Sequence, residues 1–266
     1  MTNICILGGF GYIGLNLAIS LQKQNYKVII IDYNTDPKYD KYDFIKYNID
    51  IRDKVKLNGI CMIYDFSTVI WCIDSFINDS LFYDINISGL TSVINQMNTL
   101  KIHNFIYISS NHIYGNSSFS NEETKCKPIN TEGKVKLVAE DIIQTLYNYN
   151  YYILRVGNVY GTFSDEIINY KDNIINQIHL YKINYIKNIT INNNIHDYVN
   201  FIDLNNAISK CLYRLNVFLN INHKYIINIG TQNNINEQKL FKLYFNNFNI
   251  SITYLNSDEY INTVNC

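Results

Sequence analysis

Proline is almost missing: the 266 residues hold two, Pro37 and Pro128. A proline-rich linker or polyproline ligand is thereby excluded. Charge is sparse, at 17% of residues with a formal net charge of −1, so nothing draws this chain to nucleic acid or an anionic membrane surface. No apolar run is long enough to span a bilayer, and no secretory leader is expected ahead of the first strand. The six cysteines (5, 61, 72, 126, 211 and 266) lack paired spacing, which argues against a disulfide framework or a zinc site. Reduced, mostly buried thiols in a cytoplasmic protein are expected. The five histidines are scattered, so no metal is expected. No internal repeat is visible.

What remains is an ordinary globular composition, 47% hydrophobic, long enough for one large α/β domain with a small lobe. Asn, Ile, Lys and Tyr are abundant. Their codons are AT-rich, and genome bias explains 24 tyrosines better than 24 functional phenols do.

The chain is organised around its start. Asn3-Ile4-Cys5-Ile6-Leu7 has strand character and runs into Gly8-Gly9-Phe10-Gly11-Tyr12-Ile13-Gly14, after which Leu15, Leu17, Ala18 and Leu21 follow a helical pattern. Glycine is needed where φ turns positive and where backbone approaches a ligand. A helix opening there points unpaired N–H groups and its positive end at an anion such as a pyrophosphate. The glycines at 8, 11 and 14 depart from the Gly-x-Gly-x-x-Gly fingerprint. A second apolar run, Val28–Ile31, ends in Asp32, placed to accept hydrogen bonds from an adenosine ribose and to repel a 2′-phosphate. The alternative is a glycine turn that only packs helix on strand.

Apolar runs then alternate with helical patterns. Strands are expected over 3–7, 27–31, 44–48, 61–66, 104–109 and 151–155, and helices over 12–24, 52–57, 76–100 and 131–148. Farther on, the patterns predict a helix over 166–182, a strand over 185–191, a strand over 224–229, a helix over 236–247 and a strand over 250–255. This alternation predicts a doubly wound parallel sheet, with ligands at the carboxyl ends of the strands. Those ends are Asp32, Asp50, Phe66-Ser67-Thr68, Ser109-Ser110 and Gly157-Asn158.

With these ends aligned, the chain resembles the extended short-chain dehydrogenase/reductase family, and more narrowly the NAD-dependent sugar-nucleotide epimerases and dehydratases of the UDP-galactose 4-epimerase type. The glycine turn is one match. Asn48-Ile49-Asp50-Ile51-Arg52-Asp53 looks like the family's "Gly-Asp-Ile-Arg-Asp", and Asp84-Ile85-Asn86-Ile87-Ser88-Gly89 resembles the helix carrying "Asn-Val-x-Gly-Thr". Phe105 to Gly115 is close to the "Ser-Ser-x-x-Val-Tyr-Gly" strand end, and Leu154 to Gly161 to "Leu-Arg-x-x-Asn-Val-Tyr-Gly". His196-Asp197-Tyr198-Val199, Asp203 and Asn228-Ile229-Gly230 match later elements.

The resemblance implies NAD as cofactor, held by Gly8, Gly11, Tyr12, Ile13, Gly14, Asp32, Asp50, Ile51, Phe66, Ser67, Thr68, Asn86 and Lys136. It implies a sugar-nucleotide substrate facing Asn158 and His196. Residues 1–160 would form the Rossmann domain and 161–266 a small, partly interleaved substrate lobe. A homodimer through the helices over 76–100 and 131–148 is expected by analogy. Asp65 stands where the family often has histidine and is expected to be structural. Asn86 either lies near the nicotinamide or fixes its helix.

The catalytic residues implied are Ser110, Glu132 and Lys136, and here the chain departs from the family. A tyrosine phenolate normally moves the hydroxyl proton, with a lysine four residues later lowering its pKa. Lys136 is present, but Glu132 occupies the tyrosine position and Val135 that of the serine before the lysine. Glu132 either replaces the phenol, against an unperturbed pKa of about 4.3, or forms an ordinary i,i+4 pair with Lys136. His112 is either a proton carrier near the site or a structural residue. Ser110-Asn111-His112 replaces the dehydratases' "Thr-Asp-Glu", which disfavours dehydration. His196 replaces a nucleotide-binding arginine and cannot make its forked phosphate contact. The expected function is an NAD-dependent sugar-nucleotide epimerase or oxidoreductase of polysaccharide precursor synthesis. The alternative is a dinucleotide-binding protein with lost or altered chemistry.

Overall fold

Ile4, Cys5, Ile6 and Leu7 of β1 (Asn3–Leu7) are all buried, as an apolar run without alternation requires of a strand covered on both faces. In the computed structural model, residues 2–34, 37–74, 78–117, 119–162, 174–183, 189–191, 194–218, 222–245, 252–254 and 262–264 are described. After β1 come α1 (Tyr12–Lys23), β2 (Lys27–Asp32), β3 (Ile45–Asn48), α2 (Lys54–Ile63) and β4 (Phe66–Trp71). α3 (Asp79–Tyr83) continues through a π-helical turn, Asp84–Gly89, into α4 (Leu90–Leu100). β5 (Asn104–Ser110), a 3₁₀ turn (Asn111–Tyr114), α5 (Thr131–Gln144) and β6 (Asn150–Val156) follow. The remainder is β7 (Asn158–Tyr160), α6 (Ile174–Lys182), β8 (Thr190–Ile191), β9 (Ile195–Asn200), α7 (Phe201–Val217), β10 (Lys224–Ile229), β11 (Asn234–Asn236), α8 (Glu237–Phe245), β12 (Ile252–Tyr254) and β13 (Asn262–Val264).

The chain divides into two compact units. One comprises residues up to Val156 together with Asn205–Ile229, and the other Gly157–Leu204 together with residues from Gly230 on. The first holds a seven-stranded sheet in the order β10-β6-β5-β4-β1-β2-β3, every neighbouring pair parallel. β1 lies between β2 and β4, so strand order reverses there and a crevice opens at the carboxyl ends of β1 and β4. One face of the sheet packs Trp71, Phe105, Tyr107 and Ile153 against Leu57, Leu90, Met97 and Ile143 from α2, α4 and α5. Each fully buried aliphatic chain there contributes roughly 1.5–3 kcal/mol of transfer free energy.

The second unit holds two three-stranded sheets, β11-β9-β7 and β12-β13-β8. Its core is Ile174, Ile178, Ile189, Ile191, Tyr198, Leu240, Phe241 and Phe245. Among the described residues no helix is long and apolar enough to cross a membrane.

The fold is doubly wound α/β as expected, but one element is corrected. The strand expected over 61–66 is the end of α2 and the start of β4. Asp53 caps α2, accepting from the Lys56 N–H at 3.1 Å, and Leu57 and Ile60 are its buried stripe. Cys61-Met62-Ile63 is the apolar last turn of that helix, with Met62 and Ile63 exposed. A short apolar run does not distinguish helix from strand by itself. Phe66, Ser67 and Thr68 therefore open β4 rather than end it. Asp65 precedes the strand, its carbonyl accepting from Asn3 Nδ2 at 3.0 Å. The carboxyl end of β4 is Trp71, followed by Cys72, Ile73 and Asp74.

Other limits move less. The helix expected over 131–148 stops at Gln144, and the one expected over 52–57 runs over 54–63. Of the helix over 76–100, residues 76–77 lie outside the described residues, as do 166–173, 185–188, 246–247, 250–251 and 255 of the later predictions. α7 was not anticipated. Its apolar residues are interspersed with three Asn and other polar residues, yet Leu204, Ile208, Cys211, Leu212 and Leu215 form a buried stripe at helical spacing.

Candidate active site

The glycine turn hangs from both neighbouring strands. Gly8 donates its N–H to the Ile31 carbonyl at 2.9 Å, and Cys72 donates to Leu7 at 2.8 Å. Gly8 has φ +75°, and a Cβ there would lie 2.9 Å from the Ile73 nitrogen. A methyl on Gly14 would run into the Gly8 carbonyl oxygen and lie 2.8 Å from Gly9 Cα. The turn is thus as tight as its glycines permit. Gly11 is the N-cap of α1, with no side-chain cap and no acid in the first turn. Tyr12 and Ile13, in that turn, are half-buried.

Asp32 ends β2 beside the turn. Its Oδ2 accepts the Phe10 N–H and its Oδ1 the Asn34 N–H, each at 2.8 Å. Burial raises its pKa, against the lowering effect of those backbone bonds. A main-chain cradle that no side chain caps, with a carboxylate at the next strand end, is the donor and acceptor set a dinucleotide needs. The residues present fit that group.

Asp50 lies beyond β3 and is held by Arg52, whose Nε and Nη2 donate to its carboxylate at 2.9 and 2.5 Å. Ile51 is buried in the core. Asn86 is fully buried in the π-helical turn; its Nδ2 donates to Phe82 at 3.0 Å, while its Oδ1 has no hydrogen-bond partner. The segment Phe66-Ser67-Thr68 stands away from the strand's carboxyl end. Phe66 is core, the Ser67 hydroxyl donates to the Asn3 carbonyl at 2.9 Å, and Thr68 is fully buried.

Ser110, Glu132 and Lys136 are brought together at the end of β5 and the start of α5. Asn130 caps α5, accepting the Gly133 N–H at 2.9 Å. Gly133 has no Cβ to spare: one would fall 2.6 Å from the His112 carbonyl oxygen, so α5 docks directly on the 3₁₀ turn. The Glu132 Oε2 lies 2.8 Å from His112 Nδ1. Ser110 Oγ accepts the His112 N–H at 3.2 Å and is near enough to the Glu132 carboxylate to help lower its pKa.

Lys136 is buried. Its Nζ donates to the carbonyls of Ile108 at 3.2 Å and Ile73 at 3.5 Å, and lies 3.6 Å from the exposed Asp74 carboxylate. Burial alone would lower the lysine's pKa, but Asp74, Tyr107 and Glu132 outweigh it and the pKa is raised. Burial alone would raise Glu132, but the His112 hydrogen bond, Lys136 and Ser110 prevail and hold it below its ordinary value. His112 is raised, chiefly by the bond from Glu132. Sequence reasoning missed Asp74 and Ile73, because the β4 register was displaced; the apolar run Val69–Cys72 ending in an acid was the available signal.

Neither nearby phenol replaces the missing tyrosine. Tyr107 is fully buried, 5.4 Å under Lys136, and pushed up to about 12 by burial. The Tyr114 hydroxyl is engaged with Arg155 Nη1 at 2.8 Å and Asn228 Oδ1 at 2.7 Å.

Asn158 and His196 belong to the second unit. Asn158 pairs with Tyr198 where β7 meets β9, and His196 Nε2 is 3.3 Å from the buried Glu237 carboxylate. Among the described residues no cluster of His, Cys, Asp or Glu could hold a metal ion.

A seven-stranded parallel sheet with a glycine turn at its switch point and a strand-end acid beside it defines a Rossmann-like α/β protein. The sequence profile of the NAD dependent epimerase/dehydratase family matches residues 4–230, and the chain belongs to that family. It is 29% identical over 177 residues to the UDP-glucose 4-epimerase of Rhizobium meliloti, covering 60% of this chain and 52% of that one. It is 30% identical over 168 residues to the bifunctional protein gal10 of Schizosaccharomyces pombe, covering 54% of this chain and 23% of the relative. The chain thus spans about half the length of the first relative and about a quarter of the second. Its fold is similar to that of the Bifidobacterium longum UDP-glucose 4-epimerase solved with NAD+ and UDP, with TM-score 0.77 and 19% identity over 91% of this chain and 82% of that one.

Proposed function

We propose that this chain binds NAD(H) in the crevice at β1 and β4 and acts on a sugar nucleotide at a hydroxyl/keto carbon, as an epimerase or oxidoreductase. The observation that carries this is the close approach of Gly8 to Ile73, whose carbonyl accepts from Lys136 Nζ at 3.5 Å, with Glu132 one turn earlier on the same helix. It links the proposed diphosphate cradle to the helix on which Glu132 and Val135 depart from the family's catalytic pattern. Bound there, the dinucleotide supplies a hydride acceptor and, once reduced, a hydride donor. The chain's own groups divide the remaining work. In this reading the glycine turn offers main-chain N–H groups to the diphosphate, Asp32 accepts from the adenosine ribose, and Lys136 serves the nicotinamide ribose. Ser110 offers a hydroxyl to the reacting oxygen. Asn158 and His196 are proposed for the sugar-nucleotide side, and Asp50 and Ile51 for the adenine. A cytoplasmic setting, polysaccharide precursor synthesis and a homodimer belong to the same reading.

Similarity to UDP-glucose 4-epimerases, and to one solved with NAD+ and UDP, supports it. A second reading, cofactor binding without turnover, is favoured by Glu132 in the tyrosine position. Titration with NADH and NADPH by nicotinamide fluorescence, followed by conversion of UDP-glucose, tests both. Tighter NADH than NADPH binding with conversion supports the first reading, and binding alone the second. No binding of either dinucleotide refutes both.

A further inference from the structure

Resting on the dinucleotide reading above, we infer that His112 is the acid/base of this site and that Glu132 is the carboxylate that positions it. The step balances without another reagent. His112 Nε2 takes the proton as the substrate's O–H bond breaks. The C–H bond breaks with its electron pair passing to the oxidised nicotinamide, and the carbon–oxygen double bond forms. In the reverse direction the hydride returns to carbon and His112 returns the proton to oxygen.

Three features of the fold carry this. First, Glu132 Oε2 lies 2.8 Å from Nδ1, and a carboxylate there can only accept, so Nδ1 carries the hydrogen and donates it. That bond fixes the tautomer and leaves proton exchange to Nε2. Asn130 Nδ2, 3.5 Å from the same nitrogen, is the weaker neighbour. Second, the ring is held from a rigid mount. The 3₁₀ turn is pinned by buried Ile113 and Tyr114, by Ser110 Oγ on the His112 N–H, and by Gly133, whose lack of a Cβ lets α5 press against the His112 carbonyl. Third, the His112 side chain keeps 32% of its surface exposed, so a substrate can reach it, whereas Tyr107 is fully buried and Tyr114 is tied to Arg155 and Asn228.

Among the described residues, the charged groups facing His112 are Glu132 from α5 and Asp74 from the segment after β4, with Lys136 acting on it through Glu132. Glu132 held below its ordinary value is a poor donor to an alkoxide. An imidazole raised by that same carboxylate titrates nearer neutrality, where an acid/base works best.

The test follows the imidazole itself. His112 is observed by ¹⁵N NMR of histidine-labelled protein, its resonances assigned as those missing from His112→Gln. Its pKa is measured in the free protein, with NAD+ and with NADH. The expected result is a value above 6.5 in the free protein, lowered in Glu132→Gln. It should also be lower with NAD+ than with NADH, because a cationic nicotinamide beside the ring repels imidazolium. In a parallel assay with UDP-glucose, His112→Gln is expected to lose about 10²–10⁴-fold in kcat with NADH affinity retained. Glu132→Gln should lose less and shift the acid limb of the pH profile downward. The same His112 pKa with both cofactor forms would overturn the inference even if NADH binds tightly. A protein that binds neither form would instead overturn the dinucleotide reading on which it rests.

Discussion

Truncating Glu140 to alanine should be among the most damaging single changes to the first unit. Glu140 is fully buried on α5 and Arg155 is buried on β6. The guanidinium meets the carboxylate from Nε at 3.2 and 3.1 Å and from Nη2 at 2.7 Å, and the Ser109 hydroxyl donates to the same carboxylate at 2.5 Å. Glu140→Ala leaves that cation buried beside an orphaned hydroxyl. Breaking a buried pair from one side costs about 3–5 kcal/mol. At roughly 2–4 °C per kcal/mol for a chain near this size, Tm should fall by about 6–20 °C. Calorimetry of the parent, of Glu140→Ala, and of Glu140→Leu with Arg155→Met measures it. Removing both charges together should cost less than Glu140→Ala alone, because no unpaired cation remains. A fall below about 2 °C for Glu140→Ala, or a double variant worse than the single one, would refute the argument that desolvated charge is what the pair compensates.

Gly14→Ala should weaken NADH binding and cost about 1–3 kcal/mol of stability by overpacking, since the methyl meets the Gly8 carbonyl; fluorescence titration and urea unfolding read the two effects. Asp32→Asn should narrow the preference for NADH over NADPH, measured as the ratio of the two dissociation constants, and an unchanged ratio would remove Asp32 from the cofactor site. The His112–Glu132 pair has a defined pH window: the histidine's raised pKa adds stability below about 6.5 that is lost as pH rises through its folded value, and the glutamate's lowered pKa adds stability above about 4.5 that is lost as pH falls through its folded value. The Tm difference between parent and His112→Gln should therefore be larger at about pH 6 than at about pH 8.5. Cys72 and Cys211 are pushed up to about 12 by burial, and Cys5 is also raised well above the ordinary thiol range. Iodoacetamide should spare all three in the native protein at neutral pH and label them once it is unfolded.

Much of the architecture was legible because the sheet is parallel. Strands buried on both faces read as unbroken apolar runs, as Val28–Ile31 and Phe105–Ile108 do, and their polar ends mark the ligand edge. The same property misled the reading at 61–66, where an apolar helix end abuts an apolar strand with only Tyr64 and Asp65 between them. α7 escaped notice because the apolar positions of its buried stripe are diluted by Asn and charged residues. At the site, single residues were visible but their pairing was not. Glu132 looked like a partner for Lys136, four residues along its own helix. The closer partner, His112, comes from the end of a different strand, twenty residues earlier, and only the docking of α5 on the 3₁₀ turn reveals it.

β10 lies beside β6 at the rim of the seven-stranded sheet, yet some seventy residues of chain separate them, including most of the second unit. A ribosome making this protein therefore finishes six strands and then leaves Tyr151–Val156 with bare amide and carbonyl groups along one side until Ile229 has emerged. That nascent rim is a template for pairing with a neighbouring chain. Production of the protein at high expression levels should accordingly be limited by how quickly the late strand arrives, more than by the final stability of the folded sheet.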